Sequence, residues 1–323
     1  MLDQGIIQPG LKSLEVGETF TGFYLLREKL MGVKRDGANY LTLDICDQTG
    51  RLKAKLWTDA DRINEELIPG EVIKIHGAVT RYNEKNEVNI QQIRPTNERD
   101  EIDWEKLIPV SSVDPQTVLD QFEKMASRFK NEKLKELVLA VFQDEKIKPV
   151  LLRAPGGKMW HHARLGGLLE HTRGVVNVCR ILARLYPQVD RELLLSGAML
   201  HDIGKIYEYT SKTIFDYTDK GRLVGHIVIG AQMVTEKAHA IDDFPEDVLD
   251  RLLHLVLSHQ GEYDTPKKPS IPEAFLLYWA DEIDSKMDAL KILKNNLAEG
   301  ETWKYNNLLK QWIDVSQLDI KEE

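Results

Sequence analysis

The sequence predicts two domains of different fold class, an N-terminal all-β barrel followed by an all-α helical bundle with a small β-hairpin insertion. The first prediction comes from residues 14–97, where polar residues alternate with apolar or β-branched ones at the period of two that strands show. In the rest of the chain, apolar residues recur at spacings of three and four, as they do on helices. A polar stretch interrupted by prolines separates the two patterns. The expected segments are an N-terminal domain at 1–97, a linker at 98–115 and a C-terminal domain at 116–323.

The composition of the 323 residues is that of a soluble globular protein, with 42% hydrophobic and 29% charged residues. No run of about 20 uncharged apolar residues is present, so no segment is expected to cross a membrane. The N-terminal residues lack the basic and apolar regions of a signal peptide. The two cysteines, Cys46 and Cys179, lie far apart and form no ligand motif, which favours a reducing cytoplasm.

The net charge of −9 argues against a protein coated in basic surface for nucleic acid. The charge is unevenly distributed, however. Residues 1–97 carry 13 Lys and Arg against 14 Asp and Glu, whereas the remaining residues carry 30 against 38. A polyanion could therefore bind to the near-neutral first domain, and the acidic second domain is where metal ligands are expected.

Five strands are expected in the first domain, with a short helix between the third and the fourth. A turn at 47–50 joins the second and third strands, and the helix at 59–67 is ended by Pro69 and Gly70. This order of elements is that of the OB-fold, a small Greek-key barrel. With the phrase LTLDICDQTGRLKAKLW, the segment also resembles OB-type nucleic-acid-binding domains. The expected strands are 20–26, 38–46, 51–57, 71–81 and 88–94.

Basic and aromatic residues of this domain could hold a single-stranded nucleic acid. Basic side chains would follow the phosphate backbone and aromatic rings would stack on bases, as in other single-strand binders. The alternative is that the aromatic residues fill the barrel and the basic residues form its solvated face. The candidate contacts are Lys34, Arg35, Tyr40, Arg51, Lys53, Lys55, Trp57 and Tyr82.

The second domain is organised around residues 193–205, LLLSGAMLHDIGK, an apolar helix that ends in the adjacent pair His201 and Asp202. Leaving such groups unpaired in a core costs several kcal/mol, on the scale for buried polar and ionised groups. A divalent cation would resolve this, because imidazole and carboxylate are both common metal ligands. Further histidines and aspartates lie on separate helical segments, which suits a site in the core of a helical bundle.

Other elements of the second domain are expected from the same periodicity. Residues 118–127 and 132–143 are expected to be helices, and residues 207–223 form the small hairpin. Near the C-terminus, residues 303–312 are expected to form an amphipathic helix that packs on the domain.

The order H…HD…H…H…D in this domain resembles the HD-domain phosphohydrolase superfamily. The phrases HHARLGGLLEHT, LHDIGK, GRLVGHIVIG and LSHQGE are similar to those of YhaM-type 3′–5′ exoribonucleases, which also join an OB domain to an HD domain. The resemblance spans residues 15–290 and implies a metal-dependent phosphodiesterase. It implies that single-stranded RNA, or DNA, is degraded from its 3′ end to nucleoside monophosphates.

Carried over position by position, the resemblance implies one metal ion held by four residues and a second ion that shares the carboxylate of Asp202. This chain has Gln260 after His259, where many relatives have a second histidine. The second position would therefore be weaker or completed by water, and a single-ion site remains open. The first ion would be held by His171, His201, Asp202 and Asp281, and the second by Asp202, His226 and His259.

Nitrogen and oxygen ligands without thiolate suit Mn, Fe, Co, Ni or Zn, and manganese is the expected ion. Such ions would lower the pKa of a bound water and stabilise charge on the phosphoryl oxygens. Lys205 lies four residues after His201 and would add positive charge where negative charge develops in the transition state. Asp202 and Lys205 are therefore the predicted catalytic residues.

Several neighbouring residues have two readings. His161, His162 and Arg164 precede the first ligand helix and could contact a substrate phosphate, or could be exposed loop residues. Asp284 shares a helical face with Asp281 and could hydrogen-bond a ligand histidine.

Three functions fit these features. The first is an exonuclease that binds a single strand with the OB domain and hydrolyses it at the HD domain. The second is a small-molecule HD phosphohydrolase acting on nucleotides or cyclic dinucleotides, with the OB domain as a regulatory or assembly module. The third is a non-catalytic nucleic-acid-binding protein, against which the intact HDxGK motif and Asp281 count. The expected partner is single-stranded RNA or DNA, with no membrane, and a homo-oligomer is left open.

Overall fold

The structure is a computed structural model of the 323-residue chain. It divides into two units, with the boundary between residues 109 and 110. The residues that it describes are 8–82, 85–108, 110–157, 162–210, 215–261, 265–295, 302–306, 310–314 and 316.

The first unit contains a closed five-stranded barrel with a short helix, and the predicted OB-fold is confirmed. The elements are β1 (Thr19–Val33), β2 (Asn39–Cys46), β3 (Arg51–Leu56), α1 (Ala60–Glu66), β4 (Val72–Tyr82) and β5 (Lys85–Pro95). The strands follow one another around the barrel in the order β1-β2-β3-β5-β4. Strands β3 and β5 run parallel, and the other neighbouring pairs run antiparallel. The helix α1 lies between the third and fourth strands, as expected.

The alternation seen in the sequence places every second side chain inside the barrel. On β2, Leu41, Leu43 and Ile45 are completely buried, and the residues between them are partly exposed. Burial of each such side chain stabilises the barrel by about 1.5–3 kcal/mol relative to leaving it in water. The ring of Tyr24 is also buried there, and its hydroxyl donates a hydrogen bond to the carbonyl of Pro9 at 3.1 Å.

Part of the segment expected to be a linker is ordered within the first unit. Helix α2 (Trp104–Leu107) follows the barrel, and Leu107 is buried. Asp100 accepts two hydrogen bonds of 2.7 Å from the guanidinium of Arg94 on β5. The ammonium of Lys74 lies 3.8 Å from the same carboxylate. A polar sequence can therefore be held in place by ion pairs, which a pattern of apolar residues does not reveal.

The second unit is helical and has one extensive hydrophobic core. Its first helix, α3, begins at Pro115, and the carboxylate of Asp114 caps it by accepting from the main-chain N–H groups of Gln116 and Thr117. The helices are α3 (Pro115–Ala126), α4 (Glu132–Phe142), α5 (Ile147–Leu151), α6 (Gly167–Leu185), α7 (Arg191–Leu200), α8 (Lys205–Glu208), α9 (Asp219–Val224), α10 (His226–His239), α11 (Glu246–Ser258) and α12 (Pro272–Asn295).

Two glycines allow the helices around the core to approach one another closely. Helices α6 and α12 pack side by side, and a Cβ atom at Gly174 would lie 1.8 Å from Oδ1 of Asp284. A Cβ atom at Gly204 would lie 2.0 Å from the carbonyl oxygen of His226 at the start of α10. Any larger residue at either position would push apart elements that carry polar side chains facing the core.

The predicted C-terminal helix over residues 303–312 is wrong. The structure has two antiparallel strands there, β6 (Trp303–Asn306) and β7 (Gln311–Asp314). Tyr305 and Trp312 are paired across the strands with ring centroids 5.8 Å apart, an arrangement that favours strands for aromatic-rich segments. Of the hairpin expected over 207–223, the described residues hold only one antiparallel bridge, between Tyr209 and Tyr217. Both ends of the expected segment are helical, in α8 and α9, and residues 211–214 lie outside the described part of the chain.

Among the described residues, no helix combines the length and the apolar character needed to cross a bilayer.

The Arg94–Asp100 pair gives a test of how the first unit is stabilised. We expect Asp100→Asn to lower the free energy of local unfolding of β4 and β5 by about 1–3 kcal/mol, because two nearby cations lose their partner. The hydrogen bond from Arg94 lowers the pKa of Asp100, so the stabilisation is present above pH about 4 and is lost as the pH falls below it.

Amide hydrogen exchange of β4 and β5 peptides at pH 7 measures this effect in the full chain, with α6 peptides as the internal reference. The matched control is Glu66→Gln, which removes the exposed Arg62–Glu66 pair and should change protection by less than about 0.5 kcal/mol. Equal protection in the two variants would contradict the role given to Asp100.

Candidate metal centre

Six side chains predicted to be metal ligands meet in the core of the second unit. They come from five separate places in the helical bundle, which the packing of α6, α7, α10, α11 and α12 brings together. Four of the six are almost completely buried, and the other two side chains are 13% and 15% exposed. The residues are His171 on α6, His201 and Asp202 after α7, His226 at the start of α10, His259 after α11, and Asp281 on α12.

The carboxylate of Asp202 lies in the middle of this group, with one oxygen facing each side. Its Oδ2 is 3.5 Å from Nε2 of His171 and 3.4 Å from Nε2 of His201. Its Oδ1 is 3.5 Å from Nε2 of His226 and 3.4 Å from Nε2 of His259. This two-sided placement suits a carboxylate shared by two cations.

Among the described residues, three sets of three ligand atoms that lie within 4.8 Å of one another could hold an ion, and two of these sets consist of the predicted ligands. Asp281 completes the first set, because its Oδ1 lies 3.1 Å from Nε2 of His171. The first set is His171, His201 and Asp281, and the second is Asp202, His226 and His259.

Each of the four imidazole rings is oriented by a hydrogen bond at Nδ1, the nitrogen that points away from the centre of the group. In His201 and His259, Nδ1 donates to the main-chain carbonyls of Ala198 and Val256, at 2.9 and 2.8 Å. In the other two rings it donates to a carboxylate. Because these acceptors have no proton to give, a neutral ring carries its hydrogen on Nδ1 and directs the lone pair of Nε2 to the centre.

Acidic residues hold the remaining two rings. Nδ1 of His171 is 2.7 Å from Oδ2 of Asp284, as the sequence suggested. Glu208 is a residue that the sequence reasoning missed: its Oε1 accepts from both the main-chain N–H and Nδ1 of His226, at 2.9 and 3.0 Å. The signal available for Glu208 was a single acidic residue inside the otherwise apolar and aromatic run IYEY.

These residues fit a divalent cation. Nε2 of His171 and Nε2 of His201 are only 3.3 Å apart, and Oδ1 of Asp202 is buried without a hydrogen-bond partner among the described residues. Burial lowers the pKa of His171, but Asp281 and Asp284 outweigh it and raise the pKa to about 10. The group therefore requires positive charge between its ligands, and nitrogen and oxygen donors are suited to a divalent metal.

Lys205 lies against the central carboxylate. Its ammonium is buried and lies 2.6 Å from Oδ2 of Asp202 and 2.7 Å from the carbonyl oxygen of Gly156. Burial raises the pKa of Asp202, but Lys205 and His201 outweigh it and hold the pKa well below its usual range. Asp202 is therefore ionised, with Lys205 beside it.

The other residues singled out near the ligands are placed as follows. His162 is buried, and the guanidinium of Arg164 forms two hydrogen bonds of 2.7 Å to Glu170. Both residues are therefore engaged by protein groups, and His161 lies outside the described residues. The amide nitrogen of Gln260 is 3.2 Å from Nε2 of His226, so it can donate to the lone pair that faces the second set of ligands.

In the first unit, six of the eight predicted nucleic-acid contacts line one surface cavity of about 640 Å³. The rings of Tyr40 and Trp57 are stacked with centroids 4.9 Å apart. The ammonium of Lys55 lies 4.5 Å from the ring centroid of Tyr82 and 5.8 Å from that of Trp57. Trp57 is 40% exposed and Tyr82 57% exposed, so these rings do not fill the barrel. The six residues are Lys34, Arg35, Tyr40, Lys55, Trp57 and Tyr82.

The two remaining predicted contacts, Arg51 and Lys53, lie on β3 but not among the residues that line the cavity. Lys53 is paired with Asp44 at 3.2 Å. The sequence reasoning missed Arg81 and Asn89, which do line it. They belong to β4 and β5, and only the closure of the barrel brings them beside β3.

Comparison with known protein families matches both units. The HD domain family matches residues 168–286, and the OB-fold nucleic acid binding domain family matches residues 26–96. Three bacterial proteins named 3′-5′ exoribonuclease YhaM are similar to the chain. That of Halalkalibacterium halodurans is 31% identical over 294 residues, which are 90% of this chain and 91% of the relative.

The other two relatives are similar over the same extent. The protein of Bacillus subtilis is 31% identical over 297 residues, covering 90% of this chain and 93% of the relative. The protein of Oceanobacillus iheyensis is 32% identical over 295 residues, covering 90% and 92%. The similarity thus extends over the barrel and the helical unit together, and the chain belongs to the YhaM family.

Proposed function

We propose that this chain is a metal-dependent 3′–5′ exonuclease that hydrolyses single-stranded RNA to nucleoside monophosphates. The observation that carries the proposal is the two-sided placement of Asp202 between four imidazole nitrogens. That placement supports phosphodiester hydrolysis assisted by divalent ions. The RNA substrate and the 3′ to 5′ direction are supported by the names of the three relatives.

The ligands suit two ion positions that share Asp202, and we propose Mn²⁺ for them, with Fe, Co, Ni and Zn as alternatives. When bound, such ions lower the pKa of water and stabilise charge on phosphoryl oxygens. The first position would be held by His171, His201, Asp202 and Asp281, and the second by Asp202, His226 and His259.

The catalytic residues that we propose are Asp202 and Lys205. Asp202 stays ionised because Lys205 and His201 stabilise its negative charge. Lys205 adds a positive charge next to the reacting phosphate group, and its hydrogen bond to Gly156 keeps the ammonium at a fixed place.

The cavity of the barrel is proposed to bind the single strand. Trp57 and Tyr82 would stack on bases, and Lys34, Arg35 and Lys55 would lie along the phosphates. Aromatic rings next to ammonium groups favour a nucleic acid as the substrate. A small nucleotide would need only the metal centre of the helical unit, and the barrel cavity would then have no use. The chain is proposed to work in the cytoplasm, where its cysteines, which form no disulfide, are stable.

The first experiment is a time course on a 5′-labelled single-stranded RNA, with Mn²⁺ and with chelator. We expect a ladder that shortens from the 3′ end and is abolished by chelator. Asp202→Asn should lower the rate at least about 100-fold, because even outer partners of metal ligands contribute 10–100-fold. The control is Asp250→Asn, an exposed carboxylate on α11.

RNA that stays intact with every divalent ion would contradict the exonuclease. Nucleotides and cyclic dinucleotides would then be tested as substrates, and their hydrolysis would favour a small-molecule phosphohydrolase. Cleavage by Asp202→Asn at the wild-type rate would contradict the role of Asp202.

The role of Gln260 is tested by metal titration. Its amide donates to Nε2 of His226, so an ion in the second position must displace it. We expect two Mn²⁺ dissociation constants in calorimetry, with the weaker one improved about 10–100-fold by Gln260→His, since imidazole is a better ligand. The control is Gln232→His on the exposed side of α10. The same weaker Mn²⁺ dissociation constant in both variants would contradict the role of Gln260.

The barrel cavity is tested by RNA binding of the full chain in chelator, which prevents cleavage. We expect Trp57→Ala to weaken binding about 10-fold or more, since stacking of one base is worth about 1–3 kcal/mol. The control is Trp104→Ala, an exposed tryptophan of the same unit that does not line the cavity. Fluorescence anisotropy with a labelled oligonucleotide measures the affinity, and equal losses of RNA affinity in the two tryptophan variants would contradict binding in the cavity.

The contribution of charge is tested with the same measurement at several salt concentrations. Lys55→Gln should reduce the slope of log affinity against log salt by about 0.7.

A further inference from the structure

The ring of His162 has a defined tautomer although it lies outside the ligand set. Its Nδ1 is 3.0 Å from Nη2 of Arg164. Nε2 lies 2.9 Å from Oδ2 of Asp284, and because a carboxylate oxygen only accepts, the hydrogen of the neutral ring is on Nε2. Nη2 of Arg164 has two hydrogens, which Glu170 and Asp288 accept at shorter distances, so it faces Nδ1 of His162 only as a secondary contact. His162 is only 5% exposed, so water does not compete for these bonds.

The same oxygen of Asp284 serves the first metal ligand. Oδ2 accepts from Nδ1 of His171 at 2.7 Å as well as from His162. The other oxygen faces the backbone of α6 at Gly174, where a Cβ atom would be 1.8 Å away. The carboxylate is thus fixed on both sides, and the orientation of the His171 ring follows from it.

Arg164 is itself held in place, so the chain of hydrogen bonds begins at a fixed point. Its guanidinium donates to both oxygens of Glu170 at 2.7 Å and to Oδ1 of Asp288 at 2.8 Å. Asp288 is buried on α12, one turn beyond Asp284. Asp288 is another residue that the sequence reasoning missed, and it joins the segment before α6 to α12.

The main chain of His162 makes a second connection, which leads to the central carboxylate. Its φ of 52° lies in the left-handed region, which persists in a non-glycine residue only when the surroundings hold it. The N–H donates to Oδ2 of Asp288 at 2.6 Å, and the carbonyl accepts from the N–H of Gly156 at 2.9 Å. The carbonyl of Gly156 in turn accepts from Lys205, which is paired with Asp202.

We infer that His162 is a positioning residue of the metal centre and does not contact substrate. Its ring orients His171 through Asp284, and its main chain orients Asp202 through Gly156 and Lys205. The inference rests on the metal centre proposed above. His162, His171 and Asp284 could also be grouped as ligands of another ion. That reading is disfavoured, because the facing nitrogen of each ring carries a hydrogen that it donates to Asp284.

The test compares His162→Ala with His162→Gln in the full chain. The amide nitrogen of glutamine can take the place of Nε2 and donate to Asp284, so it should restore what alanine removes. We expect His162→Ala to raise the tighter Mn²⁺ dissociation constant about 10–100-fold and His162→Gln to recover most of that loss. The d–d absorption of the Co²⁺-loaded protein should change in the alanine variant, because the geometry around His171 changes.

Two further variants make the test decisive. His162→Phe keeps the ring volume and removes both nitrogens, and it replaces the alanine variant if the latter does not fold. His239→Ala, an exposed histidine at the end of α10, should leave the Mn²⁺ affinity and the Co²⁺ spectrum unchanged.

Several outcomes would overturn the inference. Unchanged Mn²⁺ affinity in the folded alanine or phenylalanine variant would remove the positioning role. Loss of one full equivalent of metal would make His162 a ligand, and weaker RNA binding in chelator with normal Mn²⁺ affinity would make it a substrate contact. A wild-type protein that binds no divalent ion would overturn the proposed metal centre itself, and this outcome is visible before any variant is measured.

Discussion

The helical unit depends on one electrostatic constraint: bare imidazole nitrogens and carboxylates are enclosed together in its core. Buried groups of this kind are tolerated only when they are paired, since an uncompensated buried charge costs several kcal/mol. The protein satisfies Nδ1 of each ring with main-chain carbonyls, Glu208 or Asp284, and it pairs Asp202 with Lys205. The inward-facing Nε2 atoms and carboxylate oxygens are left to a cation. The helix packing, the glycines at close contacts and the segment before α6 all serve this arrangement.

The barrel has the opposite requirement, because its binding groups must be accessible at the surface. Its interior is filled mainly by aliphatic side chains such as Leu43 and Ile75, together with the ring of Tyr24, and the aromatic and basic residues of its cavity lie at the surface. Trp57 stays 40% exposed beside two ammonium groups, whereas His201 is completely buried. A flexible nucleic acid needs an exposed surface that it can bind and leave, and a metal centre needs ligands that do not move. Keeping these surfaces in separate folded units allows each to meet its own requirement.

The parts of this structure that follow a local pattern could be predicted from the sequence. The alternation of Leu41, Leu43 and Ile45 predicted a strand, and the histidines of the bundle predicted its centre. The resemblance to a known family also placed the six distant ligands together, but contacts between distant residues outside those motifs could not be predicted. His162 and Asp288 are 126 positions apart, and only the packed helices bring them together. The C-terminal strands were missed because pairing with a neighbouring strand, which a single segment does not encode, outweighs helical spacing.

The ligands of the proposed centre come from five separate places along 111 residues, from His171 to Asp281. An ion bound there acts as a cross-link between helices that are otherwise joined by loops, and it binds the folded chain far better than the unfolded one. Its free concentration therefore enters the folding equilibrium directly. In a cell short of the metal, the bundle would open more often and would be degraded faster by proteases. The amount of this protein, and not only its activity, would then follow the supply of the ion.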